Sequence, residues 1–276
     1  MIRPDLVLFA GDISYGIDSA YEFRTYVSSM VGYIESKKIP WAHVYGNHDD
    51  EDNSEGYYSA ISKAEQQKIY ESFSYCVSKS GDEDLFGIGN YVLPVMTNDG
   101  SKIAFNIFGL DSGSYIDPPY QDIVNGDNYF YGKYEGMQKN QTEWYKATSQ
   151  LLEEYNGEKV PAMMYFHIPL QETYYAWNAS FGMKENVTGS KKENISAPTV
   201  SSGLFDAVLE RGDVKLIAHG HDHINDFAVD YKGVKLCYTA SIGKEVYYDA
   251  AMLGGRVVTF SMDDPWNLQT RMSRVK

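Results

Sequence analysis

Short apolar runs alternate with longer amphipathic stretches along this chain. The predicted strands are the apolar runs at 6–10, 41–45, 91–95, 102–110, 162–166 and 215–218. The predicted helices cover about 18–36, a polar stretch after residue 50, 139–155 and the segment around 204–209. We predict a long polar loop over residues 171–197 and a run of short strands over 226–262. This alternation is typical of a layered α/β protein.

Composition narrows the classes of function. No Pro/Ser-rich linker or internal repeat divides the chain, so we predict one domain over residues 1–276. The net charge of −14, from 38 acidic and 24 basic residues, disfavours an extended nucleic-acid-binding face, which needs a basic stripe. No apolar run approaches the roughly 18–20 residues that span a bilayer. The two cysteines, Cys76 and Cys237, cannot form a disulfide framework and are expected as buried apolar residues.

The N-glycosylation sequons give a hint of cellular location. They begin at Asn140, Asn178, Asn186 and Asn194, and the last three fall in one polar stretch that suits a glycosylated surface loop. The sequons favour a secreted, lysosomal or vacuolar protein, whereas the first residues show no signal peptide. The sequence does not determine the compartment or the oligomeric state.

Metal-binding side chains stand where four predicted strands end. They are Asp12, Asn47 with the adjacent His48, His167, and the pair His221 and His223. In open α/β sheets the strand ends converge on the ligand crevice. Carboxylate, carboxamide and imidazole groups are the ligands that zinc, manganese and iron prefer. Taken singly, Asp12 also fits a turn residue and His167 a hydrogen-bonded strand end; together, the set predicts a metal centre.

The short sequence blocks around these residues, taken in order, resemble those of a known family. Gly11-Asp12-Ile13-Ser14-Tyr15, Gly46-Asn47-His48-Asp49, His167 and Gly220-His221-Asp222-His223 resemble the calcineurin-like metallophosphoesterase superfamily, and most closely its purple-acid-phosphatase-like branch. The resemblance covers nearly all of residues 4–262. It implies a four-layer α/β/β/α sandwich in which two mixed β-sheets are flanked by helices.

The resemblance also implies a function and a role for each site residue. It implies a phosphoesterase, foremost a phosphomonoesterase, that hydrolyses phosphate esters with a metal-activated hydroxide at two ions of iron, zinc or manganese. The implied metal ligands are Asp12 (bridging both ions), Asn47, His167 and His221 (second site), and His223 and Tyr15 (first site). His48 is implied as the catalytic histidine. Asp49 is interpreted as an orienting residue, not a ligand.

One family block is not found in this sequence. The family's Asp-x-His or Asp-x-Gly block precedes Gly11-Asp12, and residues 1–10 do not supply it. Asp111-Ser112-Gly113 follows an apolar run and has that form, but its position matches a different turn in the family. We therefore expect a complete second metal site, a weak or empty first site, and an unpaired strand edge beside residues 6–10. A cropped sequence and a diverged family member both fit.

Several interpretations stay open at this stage. A phosphodiesterase or nucleotide pyrophosphatase would use the same blocks, because loops select the substrate. A catalytically silent metal-binding homologue would account for the absent block. His43 is interpreted as structural, and His219 as a packing residue or a support for the ligands. The aromatic cluster Tyr174, Tyr175 and Trp177 fits either core packing or the mouth of a substrate site.

Overall fold

A computed structural model describes residues 3–51, 59–125, 128–180, 186–244 and 246–275. The helices in these ranges are α1 (Ala20–Ser36), α2 (Lys63–Glu71), α3 (Lys139–Asn156), α4 (Gln171–Ala179) and α5 (Leu204–Arg211). The first strands are β1 (Val7–Ala10), β2 (Trp41–Val44), β3 (Tyr91–Met96), β4 (Ile103–Gly109), β5 (Ile123–Asn125), β6 (Asn128–Phe130) and β7 (Ala162–Phe166). The remaining strands are β8 (Val187–Thr188), β9 (Val214–His219), β10 (Ala228–Tyr231), β11 (Val234–Tyr238), β12 (Gly254–Ser261) and β13 (Asp264–Arg274).

A seven-stranded mixed sheet forms the centre of the molecule, with strand order β3-β4-β7-β9-β11-β10-β8. Its central pairs, from β4 through β7 and β9 to β11, are parallel, and its outer pairs are antiparallel. Alternate side chains point to opposite faces of a strand. In β7, Met164 and Phe166 pack in one core, while Met163 and Tyr165 pack in another. Both faces of the sheet are therefore covered.

The two faces of this sheet are covered by different layers. Helix residues, among them Tyr145 of α3 and Phe205 of α5, complete the core on one face. On the other face, Val44 of β2 and Leu268 of β13 share a core with the sheet. These strands belong to two small ladders, the parallel pair β1–β2 and the antiparallel pair β12–β13. Together the two ladders form a second β-layer of mixed direction.

Helices α1 and α2 form the outermost layer. Phe23 and Val27 of α1 and Tyr70 of α2 pack with Trp41 of β2 in a third core. The layers therefore run helix, sheet, sheet, helix, which confirms the predicted four-layer α/β/β/α fold. Among the described residues, β1 is hydrogen-bonded as a strand to β2 alone, in agreement with the unpaired edge expected there.

The predicted loop over 171–197 is wrong at its start, where α4 forms. Thr173 and Ala176, three positions apart, are buried on one face of this helix, and Trp177 packs on Phe227 with ring centroids 4.6 Å apart. The polar composition of the segment masked this short apolar face. Tyr174 packs against the core as well, so the structure favours packing over a substrate mouth for Tyr174 and Trp177, while Tyr175 is exposed. Residues 181–185 lie outside the described part.

The C-terminal end is a long hairpin, whereas the sequence indicated short strands ending near residue 262. Strand β13 continues to Arg274. Two arginine side chains of the hairpin contact Asp226, just before β10 of the central sheet. Arg256 Nη2 donates to the Asp226 carbonyl at 2.6 Å, and Arg274 forms an ion pair with the Asp226 carboxylate. Polar side chains on the exposed face of β13 weaken its strand pattern in the sequence. None of the described helices is long and apolar enough to cross a bilayer.

The predicted helix after residue 50 begins later than its polar composition indicates. Helix α2 begins after Ser62, whose side chain accepts from the Glu65 amide while the Glu65 carboxylate accepts from the Ser62 amide. This reciprocal pair is a capping box, which satisfies amides that the first helical turn leaves unpaired. Residues 52–58 of the predicted stretch lie outside the described part.

Candidate metal centre

Three predicted ligands converge where β1, β7 and β9 end. His167 Nε2 lies 2.9 Å from Asp12 Oδ2, and His221 Nδ1 lies 3.3 Å from His167 Nε2. One ligand atom from each of the three residues lies within 4.8 Å of the others. Among the described His, Cys, Asp and Glu residues, this is the group with the spacing of a metal site.

Glycines allow the strand ends to approach this closely. A Cβ on Gly46 would lie 2.1 Å from Asp12 Oδ1, and a Cβ on Gly11 would lie 2.6 Å from His167 Nδ1. Gly11 also has φ of +85°, which residues with a Cβ rarely adopt. The glycines that precede Asp12 and Asn47 in the sequence blocks are thus required by contact between the loops.

The backbone at the centre is strained. Asp12 has φ of +51° and His221 has φ of +75°, a left-handed conformation that costs about 1–3 kcal/mol in a residue with a side chain. Such strain persists only where surrounding contacts impose it, and it clusters at functional sites. The contacts that impose it on Asp12 come from Asp49.

Asp49 fastens the two loops that carry Asp12 and Asn47. Its carboxylate is buried and accepts the backbone amides of Asp12 at 2.9 Å, Ile13 at 2.8 Å, Ser14 at 2.9 Å and Gly46 at 2.7 Å. Burial and the nearby Asp12 charge raise the pKa of Asp49 to about 6. All four amides point at one carboxylate, so the structure places Asp49 as a loop anchor and not as a ligand.

The tautomer of His167 leaves its second nitrogen facing a carboxylate. His167 Nδ1 lies 2.7 Å from the Ala10 carbonyl oxygen, which only accepts, so Nδ1 carries the proton. In the neutral ring, Nε2 then carries a lone pair that faces Asp12 Oδ2. Two facing acceptors repel each other unless a proton or a metal ion binds to both of them. Burial alone would lower the pKa of His167, but the Asp12 carboxylate outweighs it and raises that pKa. Without a metal, a proton binds to both.

The pKa values of the other two groups follow from the same contact. Burial tends to raise the pKa of Asp12, but the charge and hydrogen bond of His167 outweigh it and hold the pKa below its ordinary value. Burial, aided by the positive charge of His167, lowers the pKa of His221 well below its ordinary value. His221 is therefore a neutral imidazole, the form that binds metal ions.

Two buried polar atoms at the centre lack a protein partner. Among the described residues, Asn47 Oδ1 and His221 Nε2 are buried without a hydrogen bond. An unsatisfied buried polar atom costs roughly 1–3 kcal/mol. A cation would satisfy the Asn47 oxygen and, in the tautomer that carries its proton on Nδ1, His221 Nε2. Together with Asp12 and His167 they present carboxylate, carboxamide and imidazole donors, the set that suits zinc, manganese or iron.

His48 lies beside this cluster and is held from several directions. Its backbone amide donates to Asp12 Oδ1 at 2.9 Å. Its ring Nδ1 forms a short contact with the Glu51 carboxylate, and its Nε2 lies 3.5 Å from the Tyr115 hydroxyl. The Tyr15 ring stands edge-on to the imidazole, with centroids 5.5 Å apart. The imidazole is thus fixed beside the cluster with Nε2 on the side away from Glu51.

The predicted first-site residues lie further out. His223 is not in the three-residue group; its Nδ1 binds the Tyr247 carbonyl at 3.0 Å, and its ring stacks on Tyr247. Tyr15 is 43% exposed and contacts His48. The structure brings Asp12, His167 and His221 together, and the ligand roles of His223 and Tyr15 stay predictions.

Other residues considered in the sequence are engaged elsewhere. Asp111 is fully buried and binds Lys63 Nζ at 3.1 Å and the Gly113 amide at 3.0 Å, so it does not replace the family's absent carboxylate. His43 is buried against Tyr70, with ring centroids 3.7 Å apart. His219 is buried and contacts Thr173 at 3.1 Å. Both histidines lie in the packed interior.

Sequence reasoning missed Glu51 and the pair Ser114 and Tyr115. Ser114 Oγ donates to the Asn47 carbonyl at 3.0 Å, and Asn47 Nδ2 donates to the Tyr115 hydroxyl at 2.8 Å. The signal was weak, because Ser114 and Tyr115 lie five and six residues beyond the end of β4 at Gly109, further than the main predicted ligands lie from their strands. Glu51 stands three residues after His48, with no pattern of its own.

Comparisons with known proteins identify relatives of this chain. The chain is 32% identical over 260 residues to "Probable inactive purple acid phosphatase 29" of Arabidopsis thaliana, covering 89% of this chain and 61% of that protein. It is 28% identical to "Phosphatase DCR2" of Saccharomyces cerevisiae, covering 82% of this chain and 37% of that protein. The chain thus spans about three fifths of the length of the Arabidopsis relative.

A solved structure supports the fold alone. A dimetal phosphatase from Danio rerio superposes with a TM-score of 0.51 at 14% identity, covering 86% of this chain and 72% of that one. The family model described as calcineurin-like phosphoesterase matches residues 2–225. That match includes Asp12, Asn47, His48, His167 and His221, the residues whose geometry is described above. The chain belongs to the calcineurin-like phosphoesterase family.

Proposed function

We propose that this chain is a metal-dependent phosphoesterase that acts foremost on phosphate monoesters. The observation that carries the proposal is the convergence of Asp12, His167 and His221, together with the buried, unpartnered Oδ1 of Asn47 in the adjoining loop. A hydrolase function is supported by family membership and by the phosphatase names of the relatives.

The residues that would hold metal form two groups. Asp12, Asn47, His167 and His221 would hold one ion, and Asp12 with His223 would hold a second. In such a centre, bound cations stabilise charge on the phosphoryl oxygens and lower the pKa of a water molecule. The Tyr15 phenol is the group that would distinguish ferric iron from the other metals, by a visible absorption band.

His48 would supply the proton chemistry. The Glu51 carboxylate accepts from Nδ1, which fixes the tautomer and leaves Nε2 directed away from Glu51. When His48 is protonated, Nε2 can donate to the oxygen of the leaving alcohol; when it is neutral, Nε2 can accept a proton. A positioned acid or base of this kind contributes about 10²- to 10⁴-fold to a rate.

A catalytically silent metal-binding homologue is the second candidate. Within the described residues, the carboxylate and imidazole groups at metal-binding spacing are those of Asp12, His167 and His221, and His223 stands apart. The printed name of the Arabidopsis relative contains the words "Probable inactive". Both observations favour a site that holds one ion and does not turn over.

The experiment measures metal content and turnover on the same samples. The protein is stripped with chelator, reloaded with Mn²⁺, Zn²⁺ or iron, and assayed with p-nitrophenyl phosphate and bis-p-nitrophenyl phosphate. We expect His48→Ala to lose about 10²- to 10⁴-fold in kcat with unchanged metal content. Asn47→Ala should lose metal and activity together. Asn140→Ala, an exposed asparagine on α3, serves as the matched control.

Each outcome selects among the candidate functions. Metal-dependent turnover of the monoester over the diester supports the proposal, and the reverse preference supports a phosphodiesterase. One ion per chain with no turnover of either reporter supports the silent homologue. Turnover that persists in chelator and in both site variants would overturn the metal-dependent mechanism.

A further inference from the structure

The side-chain amide of Asn47 must be oriented before it can bind a cation. Of its two ends only the oxygen has lone pairs to offer, and the amide nitrogen would repel an ion. The side chain is fully buried, its Nδ2 donates to Tyr115, and its Oδ1 is without a protein partner. The partner of Nδ2 therefore decides which end faces the cluster.

A chain of hydrogen-bond contacts runs from Glu51 through His48 and Tyr115 to the Asn47 amide. The Glu51 carboxylate only accepts, so His48 Nδ1 carries a proton and the neutral ring presents a lone pair at Nε2. The Tyr115 hydroxyl lies 3.5 Å from Nε2, at the outer limit of a hydrogen bond. When the Tyr115 hydroxyl proton points to His48 Nε2, the hydroxyl oxygen accepts a hydrogen bond from Asn47 Nδ2, which lies 2.8 Å away.

We propose that Tyr115 is a positioning residue that holds the Asn47 carboxamide with Oδ1 available to the metal cluster. The inference rests on the proposed function, because it assigns Tyr115 a role toward the ion that Asn47 would bind. The opposite amide orientation would require the Tyr115 hydroxyl to donate to Oδ1 and so turn its proton away from His48. Groups that orient ligands in this way are worth about 10- to 100-fold in metal affinity.

The backbone around Tyr115 is built to hold the hydroxyl in place. Tyr115 pairs with Tyr134 in an antiparallel bridge, and their rings lie 5.5 Å apart. Lys133 Nζ lies 5.4 Å from the centre of the Tyr115 ring, within cation–π distance. Ser114, the preceding residue, binds the Asn47 carbonyl at 3.0 Å. Ser114 and Tyr115 therefore hold Asn47 by hydrogen bonds to its backbone and its side chain, respectively.

A double-mutant cycle on metal binding tests this role. Wild type, Tyr115→Phe, Asn47→Ala and the double variant are stripped of metal and titrated with Co²⁺, whose d–d absorption reports both the Kd and the ligand geometry. Tyr115→Phe keeps the ring and removes the acceptor for Asn47. We expect it to weaken Co²⁺ binding by about 10- to 100-fold. In the Asn47→Ala background it should change the Kd by less than about twofold, because coupled residues are not additive.

A matched control separates positioning from folding. Tyr131→Phe removes a hydroxyl from the segment after β6, at a ring 6.0 Å from Tyr134, the bridge partner of Tyr115, and should leave the Co²⁺ Kd and spectrum unchanged. The melting temperatures of the metal-free proteins are measured alongside, and Tyr115→Phe should melt within a few degrees of Tyr131→Phe. If Asn47→Ala does not fold, the comparison of these two tyrosine variants decides the question.

The results distinguish this inference from the proposed function. Equal Co²⁺ affinity and spectra in wild type and Tyr115→Phe overturn the role of Tyr115 and leave the phosphoesterase proposal standing. An undiminished effect of Tyr115→Phe in the Asn47→Ala background also overturns it, since Tyr115 would then act without Asn47. Absence of Co²⁺ binding by the wild-type protein counts against the proposed function and the inference together.

Discussion

The Asp49 carboxylate accepts the backbone amide of Asp12 at 2.9 Å, although 37 positions separate the two residues. The same carboxylate accepts three further amides from the loops after β1 and β2. These contacts hold Asp12 in a left-handed conformation and set it beside the loop that carries Asn47 and His48. Protein contacts therefore hold the loops of the candidate metal centre together.

Removal of this carboxylate should destabilise the protein in a graded way. Asp49→Ala leaves four backbone amides without an acceptor, three of them buried, and each buried one costs roughly 1–3 kcal/mol if water does not replace the carboxylate. We expect a loss of about 3 kcal/mol or more in the free energy of unfolding, measured by urea titration of the metal-free protein. Asp49→Asn keeps one oxygen and should fall between Asp49→Ala and wild type.

The control for this series is an exposed aspartate. Asp18 lies on the surface before α1. Its substitution, Asp18→Ala, should change the free energy of unfolding by less than about 0.5 kcal/mol. If Asp49→Ala is as stable as Asp18→Ala, the anchoring role of Asp49 is wrong.

Buried His43 should make the protein sensitive to mild acid. Burial lowers the pKa of His43 to about 3, whereas an unfolded histidine titrates near 6.5. Between these values the unfolded state binds a proton that the folded state does not, so stability falls as the pH is lowered below about 6.5. The slope from one such group approaches about 1.4 kcal/mol per pH unit.

This pH effect is measured as a difference between two proteins. His43→Phe keeps a ring against Tyr70 and cannot titrate. Urea titrations at pH 7.5 and 5.5 should show a smaller acid loss for His43→Phe than for wild type, by about 1 kcal/mol. Identical losses in the two proteins would mean that His43 takes up its proton in the folded state.

The ion pair between Lys63 and Asp111 should be far more important for stability than a surface pair. Lys63 Nζ lies 3.1 Å from Asp111 Oδ2, and the Asp111 side chain is fully buried. Lys63→Met would leave that carboxylate as an uncompensated buried charge, which costs about 3–5 kcal/mol. The free energy of unfolding should fall by that amount.

An exposed pair supplies the matched control. Lys102 Nζ lies 2.7 Å from Glu158 Oε1, with both side chains more than half exposed. Lys102→Met should change stability by no more than about 1 kcal/mol, because water screens the pair. Similar effects of the two lysine substitutions would contradict the assignment of Lys63 and Asp111 as a buried pair.

Local patterns were sufficient for much of the fold and for the main ligands. A buried strand is a continuous apolar run, and a residue that ends such a run is placed at the sheet edge by chain connectivity alone. Asp12, His167 and His221 could therefore be predicted to meet. Helix α4 could not, because its buried face rests on two small side chains within a polar segment. Strand β13 was missed because much of its surface is exposed.

The sequence by itself determined the layered α/β architecture, the family blocks and the three converging ligands, since these depend on periodicity and on residues adjacent to strands. Only the tertiary structure decided that Glu51, His48, Tyr115 and Asn47 form one chain of contacts. The Tyr115 hydroxyl meets Asn47 across 68 positions, and no periodicity encodes that contact. Hydrogen bonds of this kind depend on atoms within about 3 Å, a distance set when the layers pack and not by the order of residues in either loop.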